Sequence, residues 1–324
     1  MYKKLVLATL AILAIVYGSY AQEYKNEFGF KNDNDAYLWY GQDRYYTNGL
    51  FVYFRRAMKL PENEAMDIEK ATYEISVGQK MYNPLSGYRP DPATHDRPFA
   101  GYLYGGFKVG LFHKNESIVK IGLDVGTVGP NALGREAQDL LHSIVGFYKV
   151  QGWDYQIAND FAVNANVQYA KLLHRSNDNV LDFTLDSYAN LGTTYNGAGV
   201  GVVFRAGDIN QLFNSVHYNG SISNGSISNG SKAEKLKKRE FYFYAKPQLN
   251  YVAYDATVQG SLLYDTYSPV TFGVKPLVFS QTLGFNYSSP RFTIDYSLIF
   301  LSKEIKSNAK AHQYGSISMY YRFN

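Results

Sequence analysis

The sequence predicts an all-β fold, a twelve-stranded antiparallel transmembrane β-barrel with a short helix in one extracellular loop. Three observations predict it: apolar and polar residues alternate with a period of two, tyrosine is abundant, and an export leader is followed by no apolar run long enough for a spanning helix.

The leader comes first. Lys3 and Lys4 precede an apolar run from Leu5 to Val16, and Ser19-Tyr20-Ala21 forms a small-x-small site before Gln22. Residues 1–21 therefore read as a cleaved signal peptide, since the apolar core falls short of the roughly 20 residues a membrane anchor needs. Residues 22–324 then form a single barrel domain. The chain has no cysteine, so disulfides and thiolate metal sites are excluded. Losing Lys3 and Lys4 lowers the formal charge from +4 to +2, too even a balance to argue for nucleic acid. The 31 Tyr and 20 Phe suit the aromatic girdles of a membrane barrel, where amphipathic rings straddle headgroup and acyl chain.

The alternation is clearest near the C-terminus, where Phe292, Ile294, Tyr296, Leu298 and Phe300 interleave with Thr293, Asp295 and Ser297. It recurs in Ile317, Met319, Tyr321 and Phe323, in Phe161 to Val167, in Val119 to Val125 and in Leu181 to Leu185. The wet faces carry Asn, Gln, Asp, Lys and Arg, natural for a polar lumen with the apolar faces toward lipid. Periodicity alone leaves the inverse arrangement open.

Strand-like segments fall near 25–34, 47–56, 71–82, 100–113, 117–128, 156–172, 180–191, 194–206, 240–255, 272–287, 291–303 and 312–323. An even number puts both termini on one side, the periplasm, so the connections after odd-numbered strands lie outside the cell. Ser288-Ser289-Pro290 and Ser176 to Asn179 are short periplasmic turns. Residues 207–239 break the pattern: Asn-Gly-Ser-Ile-Ser repeats from Asn219 and a basic run follows from Lys232 to Arg239. Such low complexity predicts a flexible tether with no core of its own.

Three odd-side segments could carry chemistry. The first runs through Asn32-Asp33-Asn34-Asp35 to Asp43-Arg44-Tyr45-Tyr46-Thr47-Asn48-Gly49. Its oxygen-rich side chains suit a hard cation, although such stretches also form plain turns and the spacing is not an EF-hand. The second holds Pro84, Pro90 and Pro92, which fix its path, and ends on Asp96-Arg97-Pro98-Phe99-Ala100-Gly101, expected to buttress the loop through ion pairs. The third loses the alternation between Gly129 and His142 and reads as a short helix with Gln138 and His142 on one face. A neutral imidazole is a natural general base, whereas a lone histidine is as readily structural. Trp153 suits the outer interfacial belt. All three segments follow odd-numbered strands and so converge on one rim.

Together the motifs Asn32-Asp33, Asp43 to Gly49, Asp96 to Gly101, Gly129-Pro130 through His142, and Gly152-Trp153 resemble the lipid A 3′-O-deacylase family in order and spacing across residues 25 to 160. Weaker resemblance continues through Ala256 to Gly260. The resemblance implies an outer-membrane hydrolase of the ester holding the 3′-acyloxyacyl group of lipid A in lipopolysaccharide, with Ca²⁺ as cofactor; a monomer is expected, although the sequence does not fix the oligomeric state. It implies His142 as the base that activates water, Asn32, Asp33, Thr47 and Gln138 in the site, and Asp33 as the carboxylate for calcium. Where the family places a lysine after the third strand, Arg89 is the nearest cation here, able to bind an anion but a poor proton shuttle. No Gly-x-Ser-x-Gly motif points to a covalent acyl-enzyme. A non-enzymatic porin or surface-binding barrel would use the same strands, as would a calcium-dependent outer-membrane phospholipase.

Overall fold

A computed structural model describes residues 24–38, 43–60, 67–224 and 239–324. The leader, residues 1–21, lies outside them, as do most of the repeat and the basic run. Alternation resolves into β1 (Asn26–Asn34), β2 (Tyr45–Ala57), β3 (Ile68–Asn83), β4 (Ala100–His113), β5 (Ser117–Val128), β6 (Asp160–Arg175), β7 (Leu181–Gly192), β8 (Tyr195–Asp208), β9 (Glu240–Asp255), β10 (Leu277–Ser288), β11 (Phe292–Leu301) and β12 (His312–Phe323). Each strand pairs antiparallel with its neighbour in sequence, and β1 pairs with β12 to close the barrel. The described ends meet where the Lys25 amide donates to Asn324 Oδ1 at 3.0 Å.

Burial settles which face is which. Phe28, Val52, Ile75, Val77, Phe107, Ile121 and Leu123 are exposed on the outside. Glu27, Arg55 and Arg322 are buried inside, where Arg55 pairs with Glu27 at 2.9 Å and with Glu74, and Arg322 pairs with Glu27 at 3.1 Å. A polar lumen under an apolar outer surface fits a barrel solvated by lipid. No helix among the described residues is long and apolar enough to cross a membrane.

Two expectations are corrected here. Many tyrosines assigned to the girdles instead pack inside: Tyr46, Tyr82 and Tyr102 form a buried cluster with Tyr104, Tyr195, Tyr254 and Tyr314 against it. The hydroxyl explains the preference, because it finds partners there, Tyr46 donating to Asp33 at 2.8 Å and Tyr102 accepting from Asn164 at 3.0 Å. The tenth strand starts at Leu277 rather than at 272, since Pro276 has no amide for the ladder. Phe272 and Val274 instead tie the loop to Val258 and Ile305.

The expected tether also has a core in its described part. Residues 209–224 turn back across the terminal end of the barrel, burying Ile209, Leu212, Phe213, Val216, Tyr218 and Ile222. Glu240 accepts from the Asn210 and Val216 amides at 2.8 and 2.9 Å, Arg205 donates to Ser215 Oγ at 2.6 Å, and Lys70 reaches the Gly220 carbonyl at 2.6 Å. Arg322 donates to Ser221 Oγ at 3.0 Å, so the first copy of the repeat belongs to this plug. Partners on β3, β8, β9 and β12 hold it from around the mouth. Apolar residues spaced through a glycine-poor stretch up to Tyr218 were the sequence sign of it.

At the opposite end the connections after β1, β3 and β5 pack together. The third carries a 3-10 turn, Pro130–Ala132, and then the helix α1 (Gly134–Val145). Gly146, with φ of 77°, ends α1 and returns its amide to the His142 carbonyl at 2.9 Å, a left-handed conformation that glycine adopts freely.

Candidate functional site

Helix α1 lies against the outside of the barrel wall. Gln79, outward on β3, donates to the Ala132 and Leu133 carbonyls at 2.7 and 3.1 Å, and a Cβ on Gly101 of β4 would stand 3.2 Å from the Gly134 amide nitrogen. This close approach fixes the start of the helix and aims its polar face at the top of β2 and β3. Leu140 and Ile144 point away and are 60% and 71% exposed, while Gln138 and His142 are buried. One helix thus turns greasy residues outward and two polar residues toward the wall.

Those two meet at Asp43, just before β2. Asp43 Oδ1 accepts from Thr47 Oγ1 at 2.6 Å, Asn83 Nδ2 at 2.8 Å and Gln138 Nε2 at 3.1 Å, and Oδ2 accepts from the Tyr148 hydroxyl. His142 Nε2 lies 3.6 Å from Asp43 Oδ2. The other ring nitrogen, Nδ1, is 2.8 Å from the Tyr148 carbonyl. A carbonyl only accepts, so Nδ1 carries a proton, and Nε2 is the ring nitrogen turned toward Asp43. Burial and the Asp43 carboxylate together hold the Tyr148 phenol well above its ordinary range, so it remains a proton donor. Gly87 closes the cluster: a Cβ there would stand 2.5 Å from Asp43 Oδ2 and 2.8 Å from the Tyr148 hydroxyl. Only glycine allows the second loop to come so near.

Trp153 buttresses the helix instead of lying in the interfacial belt. It is 2% exposed, and its indole donates to Gln138 Oε1 at 2.8 Å. The Gln138 amide is thereby oriented with its NH₂ on Asp43. Asp96 and Arg97 buttress their loop, but through hydrogen bonds and a ring stack where ion pairs were expected. Asp96 accepts from the Leu85 amide at 2.8 Å and from Tyr45 at 2.9 Å, while Arg97 lies 4.0 Å above the Tyr82 ring and donates to Thr257 at 3.0 Å.

The structure divides the residues expected in one site. His142, Gln138 and Thr47 come together on Asp43. Asn32 shares the outer face, but its amide bonds to Gly49 O at 2.9 Å and its oxygen takes the Tyr37 hydroxyl. Asp33, the next residue on the strand, points into the lumen, where Lys31 holds it at 3.3 Å and Tyr46 at 2.8 Å. Arg89 uses its backbone, pairing with Gln151 at 2.9 Å and with His95 Nε2 at 2.8 Å. Among the described residues no hydrogen bond or ion pair joins its guanidinium to the Asp43 cluster. The residues missed by sequence reasoning are Asp43, Asn83 and Tyr148. Asp43 opens the second half of the first motif and was quoted there without a role.

A calcium ion takes about six to eight oxygens. Asp33 lies on the lumen side with Lys31 and Tyr46, so it shares no oxygen cluster with the residues around Asp43. Among the described residues no three acidic or histidine side chains converge. The donor chemistry fits better at Asp35 and Asp43, whose oxygens lie 3.5 and 2.6 Å from the Thr47 hydroxyl. Burial, with Asp43 adding repulsion, pushes the Asp35 carboxyl up to about 8 despite its hydrogen bond from the Arg44 amide. A buried carboxyl, a half-buried one and a hydroxyl are hard donors of the kind a divalent cation stabilises.

Comparison with known proteins agrees with this architecture. The family model described as outer membrane protein LpxR matches residues 5–323. Among solved structures, LpxR from Salmonella typhimurium superposes with a TM-score of 0.72 at 21% identity, covering 92% of this chain and 100% of that one. The β domain of the Bordetella autotransporter BrkA gives a TM-score of 0.46 at 10% identity, covering 93% and 99%. No curated protein sequence matches. With a family match over nearly its whole length, the chain belongs to the outer membrane protein LpxR family, the lipid A 3′-O-deacylases that its motifs resemble.

Proposed function

We infer that the protein is an outer-membrane lipid A 3′-O-deacylase that works from the outside of its barrel wall. The observation that carries this reading is the position of the His142–Asp43 cluster: it lies on the face that lipid covers, beside the loop end, so an ester at the headgroup boundary reaches it without leaving the leaflet. A porin would need an open lumen, and residues 209–224 fill the terminal mouth.

The chemistry follows from the two acceptors. At 3.6 Å, His142 Nε2 and Asp43 Oδ2 are too far apart for a direct hydrogen bond. They are arranged to share a water, which donates one O–H to a neutral His142 Nε2 and the other to Asp43 Oδ2. His142 takes the proton as the water attacks the ester carbonyl, and Asp43 balances the imidazolium charge. The acyl C–O bond then breaks, the fatty acid leaves, and the imidazolium returns the proton to the departing sugar oxygen. Nδ1–H on the Tyr148 carbonyl keeps the ring oriented throughout, and Gln138, Thr47, Asn83 and Tyr148 hold Asp43. Calcium is part of the proposal, with Asp35 and Asp43 as its carboxylates. When bound it would polarise the ester carbonyl.

The remaining assignments are proposals of the same kind. Export through residues 1–21 brings the chain to the outer membrane, and it acts as a monomer, since one chain supplies the whole cluster. Mass spectrometry of lipid A from cells with and without the protein tests the function. The expected product lacks the 3′-acyloxyacyl group. Unchanged lipid A, with fatty acid released from glycerophospholipid instead, would transfer the protein to the phospholipase reading.

A further inference from the structure

The mechanism leaves the lumen unused, yet the lumen holds a cavity lined by charged and aromatic side chains. Above the plug it encloses a cavity of ≈ 690 Å³, a size typical of small-molecule sites. Its cations fall into two groups. Lys31 is paired with Asp33 at 3.3 Å and Lys246 with Asp186 at 3.8 Å. Lys80 and Arg97 also line the cavity, and among the described residues neither makes an ion pair.

Arg97 is 4% exposed, and its Nη1 has no hydrogen-bond partner among the described residues. A buried guanidinium nitrogen left open is costly unless a ligand takes it. The two cations are joined by tyrosines: Arg97 stands 4.0 Å above Tyr82, the Tyr82 and Tyr195 hydroxyls are 3.1 Å apart, and Lys80 lies 5.0 Å above Tyr195. Amide side chains, among them Gln248 and Asn250, line it further, as do the carboxyl groups of Asp255 and Glu304, neither of them within ion-pair distance of Lys80 or Arg97 among the described residues. Guanidinium and ammonium groups recognise phosphate or carboxylate, whereas ring faces, phenols and amides suit a polyhydroxylated ring.

We propose that the lumen is a blind vestibule that binds an anionic, phosphorylated sugar entering from the loop end. This goes beyond the deacylase reading, because the vestibule lies on the other side of the wall from His142. The ligand is either a free sugar phosphate or the phosphorylated glycan of a surface lipopolysaccharide, which share the same chemistry.

Isothermal titration of the detergent-folded full chain with glucose 1-phosphate tests it. Wild type and His142→Ala should bind alike, and Arg97→Gln and Lys80→Met should each weaken binding at least tenfold while keeping heat-modifiable migration. Competition by delipidated, phosphorylated core oligosaccharide would support the site and assign it to the surface glycan. Binding without such competition would support it and assign it to a free solute. No heat with wild type, or wild-type affinity in the Arg97→Gln/Lys80→Met double variant, would overturn it, and inorganic phosphate binding as tightly as glucose 1-phosphate would remove the sugar.

Discussion

The two sides of β1 hold different chemistries one residue apart. Asn32 faces outward, bonded to Gly49 and Tyr37 beside the cluster that positions His142, whereas Asp33 faces inward to Lys31, Tyr46 and the cavity. A strand places consecutive side chains on opposite faces, so adjacent residues of a barrel strand cannot serve one site. The outer face is where a lipid substrate arrives. The inner face lies above the plug and offers charge to a soluble ligand. The Asn32-Asp33 motif therefore marks a wall with two functions.

The largest effect should come from His142. His142→Ala should fold, keep heat-modifiable migration and lose the deacylated product by roughly two to four orders of magnitude, the usual worth of a positioned base. Asp33→Asn should deacylate within a few-fold of wild type, because Asp33 lies across the wall. Equal loss in both variants, read by mass spectrometry of lipid A, would erase the distinction between the two faces.

The terminal end should answer in stability instead. Arg205 and Asp182 are fully buried and bonded at 2.9 Å, with Arg205 also holding Ser215 of the plug. Arg205→Ala leaves Asp182 with Arg175 at 3.1 Å, so the cost should be roughly 3 kcal/mol, at the lower end for a broken buried pair. Urea unfolding in detergent reads this, and the folded fraction should retain its deacylase rate. Loss of rate without loss of stability would mean that the plug communicates with the outer site.

Much of this was legible in the residues, for reasons that also explain the failures. Strands declare themselves because one side of the wall meets lipid and the other meets polar groups, which imposes the period of two. Parity then gave the convergence of three loops, and the four-residue spacing of Gln138 and His142 gave a shared helical face that the structure confirms. Asp43 escaped because its role depends on donors from Asn83, Gln138 and Tyr148, far away in sequence. Motif order put Asp33 beside Asn32, whereas strand alternation sets it on the lumen side. Trp153 and the tyrosines were assigned to the membrane interface by composition, which cannot tell a ring at the headgroups from one buried against an amide or a carboxylate.

A final test concerns Asp35, and it bears on the metal. Its carboxyl is pushed up from 3.8 to about 8, so between those values the folded chain keeps a proton that the unfolded chain has lost. The folded state then binds more protons, and stability falls as pH rises through that window, levelling off once both states are ionised. Asp35→Asn should flatten this decline, matching wild type near pH 4 and exceeding it near pH 9. A divalent cation held by Asp35 and Asp43 would favour the ionised carboxyl and oppose the same decline. Calcium should therefore raise the wild-type urea midpoint at pH 9 and leave it unchanged at pH 5, with the gain lost in Asp35→Asn and reversed by a chelator. A calcium-independent midpoint at both pH values would leave the pair as a hydrogen-bonded loop anchor and remove the ion from the outer site.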